Sequence, residues 1–166
     1  MYKSMEDFLQ DWKMETEFTL SVFSGIGDEN VTAKVSENTR SLGRLAWHIT
    51  QTLTEMPHKA GLIDEDYLDG KPLPENFSEI KELYKKYNEA LVNNLSGNFL
   101  ELDLTKTVEL YGENWEYGKV LSALVKHQIH HRAQMTVVMR LKNIPVPGVY
   151  GPSKEEWGKY GMSPQE

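Results

Sequence analysis

One stretch decides the fold, Val120-Leu-Ser-Ala-Leu-Val-Lys-His-Gln-Ile-His-His-Arg-Ala-Gln-Met-Thr-Val-Val-Met-Arg-Leu141. It contains neither Pro nor Gly, and its apolar residues recur three and four positions apart, which is helical spacing and not strand spacing. This spacing predicts an inward-facing stripe made of Val120, Leu124, His127, His131, Gln134, Val138 and Leu141. Two histidines and a glutamine therefore lie in the middle of a face that is otherwise aliphatic.

The two histidines in this stripe predict half of a metal site. Residues four positions apart lie one above the other on a helix, with Cβ atoms about 5–6 Å apart. His127 and His131 can therefore direct one nitrogen each at an ion about 2.0–2.1 Å away. The pattern His-x-x-x-His is weak by itself, and the chain lacks the His-Glu-x-x-His motif that carries the base of zinc peptidases.

Composition excludes several other classes of protein. The 166 residues predict a single domain, residues 1–166, and 39% hydrophobic with 26% charged residues fit a soluble globular chain. A net charge of -7 argues against nucleic acid as a partner, because binding its backbone needs clustered Lys and Arg. The sequence shows no signal-peptide core and no apolar run that could span a membrane, so we expect a cytoplasmic protein. Cysteine is absent, which leaves His, Asp and Glu as metal ligands.

Apolar periodicity, capping residues and helix breakers together predict four helices. Their approximate bounds are residues 4 to 25 or 27, 39 to 56, 78 to 95, and 119 to 141. Ser4 and Asp7 have the spacing of a capping box at the first helix. Pro57 marks the end of the second helix and Gly97 the end of the third.

The connections complete a bundle pattern. Residues 58–76 are a long acidic crossover, and a connection of this length can carry the chain to the far end of a bundle. Leu100, Leu102 and Leu104 alternate with acidic residues before a Gly/Asn turn, which predicts a small hairpin before the fourth helix. The tail, residues 143–166, is too rich in Pro and Gly to be helical throughout. The predicted fold class is therefore all-α, a four-helix bundle.

Other histidines compete for the remaining ligand positions. His48 lies on the flank of the apolar stripe of the second helix, and helix position alone favours a structural role for it. It is nonetheless the only other histidine that leans inward on a different helix. His130 lies on a less apolar face than His131 and ranks second, while His58 falls in the crossover and is expected to be exposed.

These residues resemble a known family. Leu45-Ala-Trp-His48-Ile, followed by His127-Gln-Ile-His-His131-Arg-Ala-Gln134, is similar to the motif of the DinB/YfiT-like metal-binding four-helix bundles. That family is distinct from the translesion DNA polymerase of the same name. Its motif has a histidine on the second helix and His-x-x-x-His on the fourth, usually followed by Arg-Gly-Gln; here Ala133 replaces the glycine. The tail segments Pro147-Gly-Val-Tyr-Gly-Pro152 and Glu155-Glu-Trp157 are similar to those of some members.

The resemblance implies up-down-down-up topology and three metal ligands, His48, His127 and His131, for one zinc or nickel ion per chain. Members commonly form dimers, and some are thiol S-transferases that use bacillithiol or mycothiol. We therefore expect a homodimeric, metal-dependent enzyme that acts on a small electrophile by thiol transfer or hydrolysis, with a low-molecular-weight thiol as cosubstrate. The alternative is a non-catalytic dimeric metal- or ligand-binding protein of the stress response.

Residues beyond the three ligands are less defined, and the sequence assigns no catalytic acid or base. Gln134 and Glu55 could each orient a ligand, one and two turns beyond a histidine. The alternative for Gln134 is a buried amide that bonds a neighbouring helix. For Glu55 the alternative, a solvated surface charge, is favoured. Cations near the ligand helix that could bind an anionic thiol are Arg132, Lys126 and Lys119.

Overall fold

The structure, a computed structural model, describes residues 2–164; Met1, Gln165 and Glu166, at the ends of the predicted domain and tail, lie outside the described residues. Its main elements are α1 (Met5–Ser24), α2 (Leu42–Lys59), α3 (Phe77–Asn98), the strands β1 (Thr107–Leu110) and β2 (Glu113–Glu116), and α4 (Tyr117–Leu141). Short 3-10 helices cover Asp28–Asn30 and Trp157–Tyr160. The predicted helical bundle with a small hairpin before the fourth helix is confirmed.

Contacts between the helices give their directions. α1 and α2 each pack against both α3 and α4. The paired contacts are Trp12–Asn88 and Phe23–Phe77 for α1 with α3, Glu15–Arg132 and Gly25–Met139 for α1 with α4, and His48–His131 and Thr52–His127 for α2 with α4. Residue numbers run in opposite directions along α1 and α3 and along α2 and α4, so these pairs are antiparallel. They run in the same direction along α1 and α4, which are parallel. α1 and α4 therefore point one way and α2 and α3 the other, which is the up-down-down-up topology.

The buried face of α4 differs from the predicted stripe at its C-terminal end. Val120, Leu124, His131 and Val138 are buried, but Gln134 is exposed and Leu141 is 60% exposed. The predicted positions repeat every seven residues, and such a repeat drifts about 20° per seven residues around a straight helix. The buried face consequently shifts to a second set of residues: Leu121, Val125, Gln128, Arg132, Met135 and Met139.

Both ends of α2 lie about three residues later than predicted. Ser41 is the N-cap, and its side chain accepts a hydrogen bond from the backbone N–H of Arg44. Thr39, the predicted start, is instead used in a turn with Ser36. Pro57 lies within the last turn, where its buried ring contributes to the core and only one N–H is missing from the helix.

The third helix and the hairpin also differ in their bounds. α3 continues through Gly97 to Asn98, since one glycine costs a helix only about 1 kcal/mol and does not end it. The predicted alternation of Leu100 to Leu104 is not a strand; residues 99–106 form turns instead. The hairpin turn is made by Tyr111 and Gly112, with φ of 53° and 79°, as in a type I′ turn.

Within residues 2–164, no helix combines the length and the hydropathy that a bilayer crossing requires.

Candidate metal centre

Three histidines converge where α2 and α4 pack against each other. His48 comes from α2, and His127 and His131 come from consecutive turns of α4. One nitrogen from each ring lies within 4.8 Å of the others. The ring centroids are 4.5 to 4.7 Å apart, and Nε2 of His48 lies 3.1 Å from Nε2 of His127. The structure therefore brings together the three residues that the sequence predicted as ligands.

The local sequence explains this convergence. Leu45, Ile49 and Leu53 are buried and fix the rotation of α2, so that the flank with His48 and Thr52 faces α4. On α4, a spacing of four places the two histidines on one face.

The separation of the nitrogens suits a shared ion. Two nitrogens bound at about 2.0–2.1 Å to one tetrahedral ion would lie about 3.3 Å apart, close to the 3.1 Å between His48 and His127. Three imidazoles that leave one side open are typical of catalytic zinc sites, whereas structural sites are closed by four protein ligands. The cluster could therefore hold a divalent metal.

Hydrogen bonds at the other ring nitrogens orient two of the histidines. Thr52 donates its hydroxyl proton to the carbonyl of His48 at 2.7 Å, so its oxygen is left to accept from Nδ1–H of His127 at 3.3 Å. Nδ1–H of His131 donates to Oε1 of Gln134 at 2.7 Å. These contacts place the proton on Nδ1 of both rings and leave the Nε2 lone pair for an ion.

Electrostatics keeps the imidazoles neutral. Burial lowers the pKa of His48 and of His127 to about 4, and it also lowers the pKa of His131. The neighbouring histidines and the positive charge of Arg40 act in the same direction. Near pH 7 all three rings are therefore in the neutral form that binds metals.

Two cavities flank the cluster. The larger, about 640 Å³, is lined by His131 and Gln134, by Arg40, and by an apolar wall that includes Leu45 and Val138. The smaller, about 170 Å³, lies beside His48 and is lined on its acidic side by Glu55, Asp66 and Asp69. The histidines thus have an apolar, cationic space on one side and an acidic space on the other.

Gln134 and Glu55 have different environments. Gln134 binds His131, so it is the orienting residue that the sequence suggested, and it is exposed rather than a buried amide between helices. The side chain of Glu55 is 33% exposed and lies near the cluster without joining it. Its carboxylate accepts hydrogen bonds from Tyr111 at 2.9 and 3.1 Å and from Lys59, which ties the hairpin to α2.

The other candidate histidines lie outside the cluster. His130 is exposed, and its Nε2 accepts from the amide of Gln134 at 3.1 Å. His58 is exposed, as expected, although it belongs to the last turn of α2 and not to the crossover.

The three candidate cations on α4 do not serve the cavity beside His131. Lys126 is exposed, and Lys119 lies 3.8 Å from the ring centroid of Trp115. Arg132 points away from this cavity and toward α1, where it is 1% exposed and pairs with Glu15 at 2.6 Å. The hydroxyl of Tyr150, from the tail, bonds both members of this pair.

Sequence reasoning missed two residues at the site, Arg40 and Thr52. Thr52 follows His48 by four residues, a spacing that would have identified it as a partner on the same helix face. Arg40 lies in the connection before α2 and carries no periodic signal, so only the folded chain places it beside His131.

Comparison with known proteins agrees with the observed fold. The sequence profile of the DinB family matches residues 1–165. The uncharacterized protein YrdA of Bacillus subtilis (strain 168) is 31% identical over 162 residues, which cover 98% of this chain and 97% of YrdA.

Two solved structures are similar to this one. A DinB-like protein from Bacillus cereus ATCC 10987 is 36% identical with a TM-score of 0.81, covering 90% of this chain and 100% of that one. The DinB-like protein YjoA of Bacillus subtilis, at 17% identity and a TM-score of 0.67 over 85% and 95% of the two chains, shares the fold. The helical architecture, the histidine cluster and the match over almost the whole chain lead to one conclusion: this protein belongs to the DinB family.

Proposed function

We propose that this protein is a metal-dependent enzyme that transfers a low-molecular-weight thiol to a small electrophile. The ion would be held by His48, His127 and His131, one ion per chain. The observation that carries the proposal is the convergence of three neutral imidazoles beside an open cavity of about 640 Å³. Zinc and nickel both suit imidazole ligands, and availability in the cell decides between them.

Each group around the cluster has a defined task in this proposal. A bound ion would supply Lewis acidity, which would lower the pKa of a thiol or water that it binds. Thr52 and Gln134 hold the rings of His127 and His131 in the required tautomer. The apolar wall of the larger cavity keeps bulk water away from the reacting thiol. Because the chain contains no cysteine, the sulfur must arrive on the cosubstrate.

Hydrolysis is the second candidate, and the acidic cavity beside His48 favours it. Glu55 or Asp66 could serve there as a general base for water. Both carboxylates already have partners, however: Tyr111 and Lys59 bind Glu55, and Thr54 donates to Asp66 at 2.5 Å. No carboxylate lines the larger cavity in the described part of the chain, which suits thiol transfer better.

Metal content is the first test. Elemental analysis after mild purification should find close to one zinc or nickel ion per wild-type chain and almost none in His127→Ala. Equal metal in the two proteins would refute the ligand assignment. Circular dichroism of both proteins controls for unfolding of the variant.

Reaction type is the second test. The metal-loaded protein is incubated with monochlorobimane, with and without bacillithiol, and His131→Ala serves as the blank. Conjugation that requires both the thiol and His131 supports transfer. Turnover of an ester or amide panel without thiol supports hydrolysis instead, and the absence of both reactions would leave the non-catalytic binding protein.

We further propose that the protein is a homodimer. Aromatic side chains are enriched at interfaces, and Tyr67, Tyr111 and Tyr160 are exposed. Stronger support comes from α4, where Val137 and Leu141 are 57% and 60% exposed, because apolar side chains are enriched in the core of dimer interfaces. Light scattering at micromolar concentration should give about twice the chain mass of 19.1 kDa; a mass equal to one chain would refute the dimer.

A further inference from the structure

Arg40 is a cation without an anion in the larger cavity. It lines this cavity together with His131. Within residues 2–164 its side chain forms no ion pair and no hydrogen bond, whereas seven other Lys and Arg residues have a carboxylate partner. An unpaired guanidinium beside a metal-binding cluster is available for a ligand.

The backbone on both sides of Arg40 is fixed. On one side, the hydroxyl of Thr39 accepts from the backbone N–H groups of Val35 and Ser36 and donates to the carbonyl of Ser36. On the other side, Ser41 caps α2. Arg40 is therefore presented to the cavity by an ordered turn, which reduces the entropy lost when the guanidinium binds an anion.

The same connection is fastened to α2 by a close backbone contact. Gly43 donates to the carbonyl of Val31 at 2.8 Å, and a Cβ atom at position 43 would lie 2.6 Å from that oxygen. Leu42 also donates to the carbonyl of Ala33 at 2.9 Å. Only glycine allows this approach, so the position of Arg40 relative to the histidines of α2 and α4 is built into the fold.

The other residues that line the cavity indicate what the rest of the ligand is like. The cavity between Arg40 and His131 is closed mainly by aliphatic side chains: Val35, Leu45, Val137, Val138 and Leu141. None of its lining residues in the described chain is a carboxylate that could repel an anion or occupy the guanidinium. The cavity therefore combines an apolar body with one positive end.

We propose that Arg40 is the anion-binding residue of this cavity and selects a ligand with one anionic group, such as a carboxylate. In this ligand a short apolar segment joins the anionic group to the atom that binds at the histidine cluster. Arg40 would bind the anion through charge-assisted hydrogen bonds, which are about twice as strong as neutral ones. That the other end of the ligand is a thiol, bound at the histidine cluster, rests on the proposed function. The selectivity for an anion rests on Arg40 and the cavity alone.

The first experiment compares two thiols that differ in charge. Cobalt(II)-loaded protein is titrated with 3-mercaptopropionate and with 2-mercaptoethanol, and the absorption of the ion reports binding. The measured quantity is the affinity ratio of the anionic to the neutral thiol. Arg40→Gln should lower this ratio about tenfold while the metal content is kept, since a hydrogen bond to a charged group is worth at least that factor.

Arg44→Gln is the matched control. Arg44 is an exposed arginine in the first turn of α2, and it lines neither cavity beside the histidines. Its replacement by Gln removes the same charge as Arg40→Gln. The ratio should stay at the wild-type value in this variant. An unchanged ratio in Arg40→Gln, or an equal loss in both variants, would overturn the proposal.

A second experiment separates this proposal from the thiol function. Metal-free protein is titrated calorimetrically with hexane-1-sulfonate, which carries an anion and an apolar body but no thiol. Binding by wild type and Arg44→Gln, with at least tenfold weaker binding by Arg40→Gln, supports the anion site even if no thiol binds the cobalt protein. Thiol binding that is insensitive to Arg40 retains the proposed function and refutes the anion site. If the wild-type protein binds neither the thiols nor hexane-1-sulfonate, the anion site and the proposed thiol function are both refuted.

Discussion

His131 and Arg132 are neighbours in sequence, but their side chains lie about 100° apart around α4, face different helices and are held in different ways. Arg132 is 1% exposed, and its guanidinium donates to the carboxylate and the carbonyl of Glu15, to Thr19 and to Tyr150. The three clustered histidines are neutral; His131 borders the larger cavity and His48 the smaller one. On the α1 side a charge is buried with its donors matched by protein acceptors. On the α2 side neutral ring nitrogens converge, with Nε2 of His48 and Nε2 of His127 3.1 Å apart.

This difference separates a structural polar group from a binding group on the same helix. A buried charge with several partners holds its neighbours in one arrangement and has little capacity left for a ligand. Converging lone pairs are unfavourable unless a proton or an ion lies between them, so the histidine face is one that could hold an ion. We expect changes on the α1 side to alter stability and changes on the α2 side to alter metal binding.

The largest effect is expected for Arg132→Met. Removal of one partner leaves the carboxylate of Glu15 buried without its cation, which costs about 3–5 kcal/mol of the free energy of unfolding. Urea unfolding followed by circular dichroism measures the loss, and the folded fraction should still bind metal. The double change Arg132→Met with Glu15→Leu should recover much of this loss. A variant as stable as wild type, or one that folds fully but loses its metal, would contradict the separation of the two faces.

A smaller effect, on the other face, is expected for Gln134→Ala. Without the amide oxygen, Nδ1–H of His131 loses its partner and the ring its orientation, so metal affinity should fall about 10–100-fold. Competition with a chromophoric chelator measures this affinity. The unfolding free energy of the metal-free protein should change little, because Gln134 is exposed. If this variant binds metal with the wild-type affinity, Gln134 does not orient His131.

A modest effect of pH is expected on the stability of the metal-free protein. The pKa of His48 and of His127 is about 4 in the fold, below the ordinary value of 6.5 that applies to the unfolded chain. Between these values the unfolded chain binds more protons, so stability is highest above about pH 6.5 and is lost as the pH falls toward 4. Urea unfolding at pH 7 and pH 5 tests this, with the double variant His48→Gln, His127→Gln as control. A pH dependence as large in the double variant as in wild type would assign it to other groups.

The smallest effect is expected for His130→Gln. His130 is exposed and outside the cluster, so metal content should remain at the wild-type value in elemental analysis. Loss of metal in this variant, together with its retention in His131→Gln, would show that the ligand face of α4 has been misassigned by one residue.

Sequence periodicity could predict the four helices and the pairing of His127 with His131, because each of these signals is local to one helix. Helix position alone favoured a structural role for His48, and only the family resemblance implied it as the third ligand. The end of the α4 stripe could not be predicted in the same way. Seven-residue spacing drifts around a straight helix, and whether a neighbour still covers the face at Leu141 depends on where α2 begins.

The buried ion pair had a signal in the sequence. Arg132 lies in the apolar stripe of Leu121, Val125, Gln128, Met135 and Met139, and Glu15 lies between Trp12 and Thr19 on the inward face of α1. A charge within an apolar stripe requires a buried partner, so the two stripes together would have suggested the pair. Arg40 has no such signal, since its place depends on how residues 25–41 pack against α2.

The contact of Tyr150 with Glu15 and Arg132 has a practical consequence for work with truncated forms. The tail leaves α4 after Leu141 and returns to the α1–α4 interface, where the ring of Tyr150 packs edge-on against Phe18 with 4.9 Å between centroids. A chain shortened at the end of α4 would open the buried ion pair to water and remove a hydroxyl that bonds both of its members. Fusion partners and affinity tags are therefore better joined after the last 3-10 helix, and a protease-resistant core that ends at residue 142 should not be taken for the minimal folding unit.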